Sequence, residues 1–341
     1  MGRVNDRNDR NDTVSRRAVF GVGLGAAAAV AASGGMAAAT RLPDVPETGR
    51  ARQARRATPG LWLRWWGNNS WEIKTRAADG TVKTVLIDPW LTRFHTGTYS
   101  KQGADPKTRV TVDTALLDRM IDSGELRADH ILVTHGHYDH LPDVPYLAER
   151  TGATVVGTET HVNLMLAMGA PKDQLSIAVG GEYLSFDGYA IRVLRSLHSA
   201  SAPRGKVAFA GTRPAVPPSP PEYIRDLVEG GTLAYEVITE SGASVLNFGG
   251  SNYIEAELAG LRPDVVLLPA GGGMVPDYVG RLLRALGHPP YVVPTHWDDF
   301  DEPLFEPAKD WGGLQPLRDA VTSASPDSRF QVIDHLETLR T

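Results

Sequence analysis

With 341 residues, of which 42% are hydrophobic and 22% charged, the chain has the composition of a globular protein rather than a disordered one. It contains no cysteine, which excludes disulfides and thiolate metal sites, so any metal must be held by His, Asp or Glu. The formal net charge of -5 argues against a general binder of nucleic acid or of anionic membranes.

The N-terminal segment has the pattern of a twin-arginine export signal. A polar start is followed by Arg16 and Arg17 and then by a weakly apolar stretch that is rich in Ala and Gly. A membrane anchor is the alternative, but Ala and Gly supply little transfer free energy compared with Leu or Ile. We therefore predict a signal peptide over residues 1–39, a flexible linker over 40–59 and one domain over 60–341. The exported protein is expected in the periplasm or outside the cell, without stable membrane insertion.

From residue 61 onward, short β-like runs alternate with helical ones. The predicted strands are 61–66, 70–75, 82–88, 129–134, 153–157, 175–184, 189–195, 232–239, 243–248, 264–269, 290–294 and 329–334, and the predicted helices are 113–123, 142–151, 159–168, 253–260, 277–287 and 313–323. This alternation predicts sheets covered by helices, and hairpin-like neighbours near the start favour mixed sheets. The elements form two β-rich halves, 60–200 and 230–341. The predicted fold class is α/β, built as one layered sandwich.

The densest chemical signal is the stretch LVTHGHYDHL, which begins with an apolar strand and holds three of the chain's ten histidines. Side chains at i and i+2 of a strand exit share a face, so His135 and His137 can bind one ion. Asp139 and His140 open the following helix and point together toward a second position. Three unrelated surface histidines are the alternative, but such clustering is a rare accident. The stretch therefore predicts a metal site.

Three further candidate residues also stand at predicted strand ends. His198 follows the run YAIRVLR and His296 follows YVVP, which suits ligands gathered at one edge of the sheets. Partly exposed surface histidines are the alternative for both. Asp88 ends the run VLID, where it either orients a metal ligand by hydrogen bonding or serves only the Asp-Pro turn.

These motifs resemble those of the metallo-β-lactamase superfamily over most of residues 60–300. WWGNNSWEI and VLIDPWL resemble its opening strands, and THGHYDHL, SLHSA and VPTHWDDF resemble its later motifs. DPWL, LHS and PTHW are closest to the L-ascorbate-6-phosphate lactonase-like branch, and THGHYDHL is also similar to N-acylphosphatidylethanolamine phospholipase D. The resemblance implies a four-layer αβ/βα sandwich with mixed sheets and with metals at one end of those sheets.

The resemblance also implies a role for each candidate residue. A first cation would be held by His135, His137 and His198, and a second by Asp139, His140 and His296. Asp88 would fix the orientation of a ligand by hydrogen bonding. Neutral imidazoles and carboxylates suit Zn²⁺, and Mn²⁺ or Fe would also fit. Asp139 is the implied catalytic residue.

One position departs from the family pattern. In VLNFGGSNY, Gly250 stands where the family has an aspartate that bridges both metals. Two dications about 3.5–4 Å apart lose a shared negative charge there, so we predict one firmly bound cation and a weaker second site. Asn252, Asp298 and Asp299 are candidate substitutes, although a surface or turn position is the favoured interpretation of each.

The predicted chemistry is metal-assisted hydrolysis, in which a metal-bound hydroxide near Asp139 attacks a carbonyl or phosphoryl centre. The first hypothesis is an exported hydrolase of a small-molecule lactone, ester or amide. The alternatives are a phospholipase D-like phosphodiesterase and, because of Gly250, a metal-binding relic without catalysis. Specificity is expected from the loops 92–112, which contains Tyr99, and 201–222. Substrate-binding residues and the oligomeric state stay unassigned.

Overall fold

The computed structural model of the chain describes residues 61–200, 205–272 and 274–341, so the predicted signal peptide and linker lie outside the described residues. In this part of the chain the strands are Trp62–Trp65 (β1), Trp71–Arg76 (β2), Val82–Ile87 (β3), His130–Leu132 (β4), Thr154–Gly157 (β5), Leu175–Ile177 (β6), Tyr183–Phe186 (β7), Tyr189–Ser196 (β8), Thr232–Thr239 (β9), Ser244–Asn247 (β10), Val265–Pro269 (β11), Tyr291–Thr295 (β12), Arg329–Phe330 (β13) and Thr338–Arg340 (β14). The α-helices are Thr114–Asp122 (α1), Val144–Thr151 (α2), Glu159–Ala167 (α3), Tyr278–Ala285 (α4) and Leu314–Ala324 (α5).

The strands form two seven-stranded sheets, in the orders β14-β1-β2-β3-β4-β5-β6 and β13-β12-β11-β10-β9-β8-β7. In the first sheet, β14 to β3 pair antiparallel and β3 to β6 pair parallel. The second sheet repeats this arrangement, with antiparallel pairs from β7 to β10 and parallel pairs from β10 to β13. The predicted mixed sheets are confirmed.

Alternating side chains of the first sheet bury both of its faces. Leu86 and Ile131 are paired neighbours on β3 and β4, and they pack into the core under α1, α2 and α3. Ile87 and Leu132, the next pair, point the other way into the core between the two sheets. Because successive side chains of a strand point to opposite faces, a strand covered on both sides reads as one continuous apolar run.

The second sheet is covered on its outer face by α4 and α5. Leu282 of α4 and Val321 of α5 are fully buried in the same core as Val266 of β11. Two sheets with helices on both outer faces make four layers, as the α/β sandwich prediction required. The longest of the described helices, α5, has 11 residues, and none of these helices has the length and apolarity needed to cross a membrane.

Three sequence predictions of secondary structure are wrong. The single strand predicted at 175–184 is two strands, β6 and β7, that belong to different sheets. Gly180 and Gly181, at φ 88° and 107°, turn the chain between them, so the halves divide near residue 180 rather than between 200 and 230. The helix predicted at 253–260 is only a 3₁₀ turn at Glu255–Leu258. The third error is β14, which was not predicted because its three residues are stabilised by distant pairing with β1.

Candidate metal centre

Strand ends bring the candidate ligands to one edge of the sandwich. Asp88 follows β3 directly, and the segment carrying His135 and His137 follows β4, the parallel neighbour of β3. The carboxyl ends of parallel neighbours lie at the same edge of a sheet. His198 follows β8 and His296 follows β12 in the second sheet. The fold therefore collects residues that are up to 208 positions apart in the sequence, from Asp88 to His296.

Three imidazoles converge as the sequence predicted. Ligand nitrogens of His135, His137 and His198 all lie within 4.8 Å of one another. The three ring centroids are 4.6 to 4.7 Å apart, and the rings meet edge to face rather than stacking. Three ring nitrogens this close together could bind one cation.

The second predicted group lies directly beside the first. Ligand atoms of His135, Asp139 and His140 are also within 4.8 Å of one another, so His135 belongs to both groups. Asp139 Oδ2 is 3.3 Å from His140 Nε2 and 3.2 Å from His296 Nε2. All six predicted ligands are thus brought together, and Asp139 lies between His140 and His296.

The chemistry of the first group fits a divalent cation. Burial lowers the pKa of His137 to about 3 and holds the pKa of His135 well below its ordinary value. Both rings are therefore neutral near pH 7, which is the form that binds metals. His137 Nε2 is buried and has no hydrogen-bond partner among the described residues. An unpaired buried polar atom costs about 1–3 kcal/mol, a penalty that a cation on this nitrogen would remove.

Two carboxylates, those of Asp88 and Asp139, lie against His140 in the second group. Asp88 Oδ2 lies 2.7 Å from His140 Nδ1 on the side of the ring opposite Asp139. Burial alone would lower the pKa of His140, but the carboxylates of Asp139 and Asp88 outweigh it and raise that pKa to about 10. Burial also opposes ionisation of Asp139, yet the His140 imidazole keeps the pKa of that carboxyl well below its ordinary value. The ionised Asp139 carboxylate therefore needs a positive neighbour, which is either the His140 imidazolium or a divalent cation that replaces its proton.

Asp88 contacts His140, which is the geometry that the predicted orienting role requires. Its carboxylate is fully buried and accepts hydrogen bonds from the Thr134 backbone N–H at 2.7 Å and from Asn69 Nδ2 at 2.7 Å. The residue has φ 42°, a strained conformation for an aspartate, so these bonds hold it against a backbone cost. With Nδ1 engaged by Asp88, His140 presents Nε2 to Asp139.

Gly250 lies beside His198, so a side chain at this position would be close to a candidate ligand. A Cβ atom on Gly250 would lie 3.7 Å from His198 Cα and 3.2 Å from the backbone nitrogen of Ser199. Of the candidate substitutes, Asn252 instead donates a hydrogen bond to the His198 carbonyl oxygen at 3.2 Å. It therefore supports the backbone of a candidate ligand.

Asp298 is not the surface or turn residue that the sequence favoured. It is fully buried, and its Oδ2 lies 2.5 Å from Arg93 Nη2 and 2.9 Å from His335 Nε2. Its Oδ1 accepts a hydrogen bond from the backbone N–H of Asn68 at 2.9 Å. Both oxygens are thus committed to a structural network. Asp299, the third candidate, accepts a hydrogen bond from the backbone of Asp301 at 3.1 Å.

Sequence reasoning missed a polar turn that supports the site. Asn68 donates from Nδ2 to the Asp139 carbonyl oxygen at 2.6 Å, and its own carbonyl oxygen accepts from the His296 backbone N–H at 2.9 Å. Asn69 contacts both Asp88 and Asn247. The sequence signal was GNNS, a polar turn between two strands that contain tryptophan. The two amide side chains of such a turn need polar partners if they are buried.

Two sheets with helices on their outer faces and a His/Asp cluster at the strand ends define the metallo-β-lactamase fold class. The family model described as "Beta-lactamase superfamily domain" matches residues 62–296, a span that includes every candidate ligand. The chain belongs to this family.

Individual relatives agree with this assignment. A UPF0173 metal-dependent hydrolase of Myxococcus xanthus is 29% identical over 309 residues, which cover 88% of this chain and 94% of the relative. Another from Carboxydothermus hydrogenoformans is 32% identical over 216 residues, covering 62% of this chain and 76% of the relative. A solved metallo-beta-lactamase fold protein, YhfI from Bacillus subtilis, aligns with a TM-score of 0.50 at 12% identity, over 83% of this chain and 100% of that one. This last similarity concerns the fold alone.

Proposed function

We propose that the protein is a metal-dependent hydrolase that cleaves a small-molecule lactone, ester or amide with Zn²⁺ as its cofactor. The observation that carries the proposal is the convergence of the His135, His137 and His198 imidazoles beside the Asp139 carboxylate. Relatives that align with most of this chain are named metal-dependent hydrolases, which supports the same class of reaction. The similarity of DPWL, LHS and PTHW to the lactonase-like branch supports a carbonyl substrate.

Each group of the site has a distinct task in such a reaction. A bound divalent cation would polarise the scissile oxygen and lower the pKa of water. His135, His137 and His198 would hold that cation as neutral ligands. Asp139, ionised at neutral pH, would accept a hydrogen bond from the attacking water at Oδ2 and orient its lone pair toward the carbonyl carbon. Asn68 keeps Asp139 in place through the bond to its carbonyl oxygen.

The substrate class is tested on the purified, zinc-loaded protein with chromogenic lactones, carboxylic esters, amides and bis-phosphodiesters. We expect turnover of at least one carbonyl substrate and none of the phosphodiester. Turnover of the phosphodiester alone would establish the alternative that THGHYDHL indicates. Metal binding without turnover of any substrate would instead favour the third hypothesis, a metal-binding relic without catalysis.

Replacing Gly250 by Asp is expected to tighten binding of a second cation, because it restores a negative charge between two like charges. The backbone at Gly250 is not in the left-handed region, and its nearest neighbours would have to move by only a few tenths of an ångström. Metal titration of the metal-free protein measures the change, with Gly250→Asn as the uncharged control of the same shape. Equal affinity in both variants, or a wild type that already binds two cations equally tightly, would contradict this account.

We further propose that the protein is exported by the twin-arginine pathway and acts in the periplasm or outside the cell. Arg16 and Arg17 before the Ala- and Gly-rich stretch support this localisation. Fractionation of cells that express the full chain would refute it if the protein stayed in the cytoplasm.

A further inference from the structure

Tyr99, from the polar segment that follows β3, reaches the edge of the candidate metal centre. Its ring stacks on Trp311 at 5.6 Å between centroids, with only 7° between the ring planes, and lies 4.9 Å from Phe300. Its hydroxyl oxygen is 3.4 Å from His296 Nδ1. The other ring nitrogen of His296, Nε2, is 3.2 Å from Asp139 Oδ2. Tyr99 and Asp139 therefore contact opposite sides of one imidazole.

The backbone of His296 is held equally firmly. The residue has φ 55°, a left-handed conformation that is costly for histidine. Its N–H donates to the Asn68 carbonyl oxygen at 2.9 Å, and its carbonyl oxygen accepts from Trp311 Nε1 at 3.0 Å. With the main chain fixed, the remaining freedom of His296 is rotation of its ring. Among the described residues, the Tyr99 hydroxyl is the hydrogen-bonding partner of Nδ1, so it can fix the orientation of the ring.

We propose that Tyr99 is a positioning residue that holds His296 Nε2 toward Asp139 as a ligand of the second cation. The proposal rests on the proposed function, since it takes His296 as a ligand. It also follows from Gly250: a site without the bridging carboxylate depends more strongly on the correct placement of its remaining ligands.

A hydroxyl suits this task because it can both donate and accept a hydrogen bond. In the tautomer with its proton on Nε2, His296 donates to the Asp139 carboxylate, and Nδ1 accepts from the Tyr99 O–H. In the tautomer with its proton on Nδ1, the ring donates to the Tyr99 oxygen, and the Nε2 lone pair would be available to a cation. Neither a carboxylate nor an ammonium group could serve both tautomers.

The test compares Tyr99→Phe with Tyr138→Phe in the metal-free protein, titrated with Zn²⁺ against a chromogenic chelator. Tyr138 is the matched control, because it is a buried tyrosine of the same aromatic cluster whose hydroxyl contacts Thr98 Oγ1 at 2.7 Å. In Tyr99→Phe we expect the second cation to bind about 10–100-fold more weakly, the range typical for loss of a group that orients a ligand. The first cation should bind within twofold of wild type, and Tyr138→Phe should bind both normally.

A second readout needs no metal. In ¹⁵N spectra of the histidine-labelled protein, the Nδ1 resonance assigned with a His296→Asn variant should shift in Tyr99→Phe and stay unchanged in Tyr138→Phe. Unchanged second-cation affinity in Tyr99→Phe, equal losses in both variants, or a wild type that binds only one cation would each overturn the proposal. Failure of the proposed function gives a different result, because the wild type would then bind both cations normally but turn over no substrate.

Discussion

Replacing His135 by Ala is expected to remove the firmly bound cation and to lower kcat/KM by about a thousandfold or more. His135 belongs to both ligand groups, with its ring centroid 4.6 Å from that of His198 and 3.8 Å from that of His140. A catalytic cation contributes several kcal/mol to transition-state stabilisation, which corresponds to a loss of this size. Metal content by mass spectrometry and turnover of the best panel substrate measure the two effects.

His288→Asn is the matched control for this experiment. His288 has a left-handed backbone, which Asn also tolerates, and its ring bonds to Ser325 Oγ at 2.9 Å rather than to the site. This variant should keep its metal and its activity. Retention of both metal and turnover by His135→Ala would refute the assignment of the cluster as the catalytic centre.

Replacing Arg93 by Met is expected to lower the free energy of unfolding by about 3–5 kcal/mol, because it leaves the Asp298 carboxylate buried without its main counter-charge. The side chains of Arg93 and Asp298 are 2% and 0% exposed, and burial opposes ionisation of Asp298. His335 and Arg93 nevertheless hold the pKa of Asp298 below its ordinary value, so the carboxylate is charged in the fold. Urea denaturation at pH 7 measures the loss.

The double variant Arg93→Met with Asp298→Asn separates charge from packing. Asn can still accept the hydrogen bond from the Asn68 backbone, and it removes the uncompensated charge. The double variant should therefore recover a large part of the lost stability. A single variant that loses less than about 1 kcal/mol, or a double variant that is no more stable than the single one, would show that the pair is of minor importance.

This buried pair also explains how the site is supported. Asp298 joins the Asn68 turn to the segment after β12, and Arg93 adds the start of the 92–112 loop. The same three segments supply Asn68 and His296, which contact Asp139, and Tyr99, which contacts His296. Stability of the network and placement of the second ligand group therefore have a common physical origin.

The fold class was predictable because its signals are local. Continuous apolar runs such as VLI in β3 report burial on both faces, and alternation with helical periods indicates a layered α/β sandwich. Element bounds were less accurate at 175–184, where a pair of glycines turns the chain within what looks like one β-like run. The short β14 carried no local signal, since its stability comes from pairing with β1 about 275 residues earlier.

By itself, the sequence determined the chemical type of the site. The absence of cysteine left only His, Asp and Glu as ligands, and histidines at strand ends placed His135, His137, His198 and His296 at one edge. What only the tertiary structure decided are the contacts between loops: Asp298 with Arg93, Asn68 with Asp139, and Tyr99 with His296, which lie 197 positions apart. Sequence patterns record how each residue relates to its near neighbours, whereas these contacts depend on how distant strand ends are packed. The same side chain can thus lie at the surface or in a buried network with no difference in its local pattern.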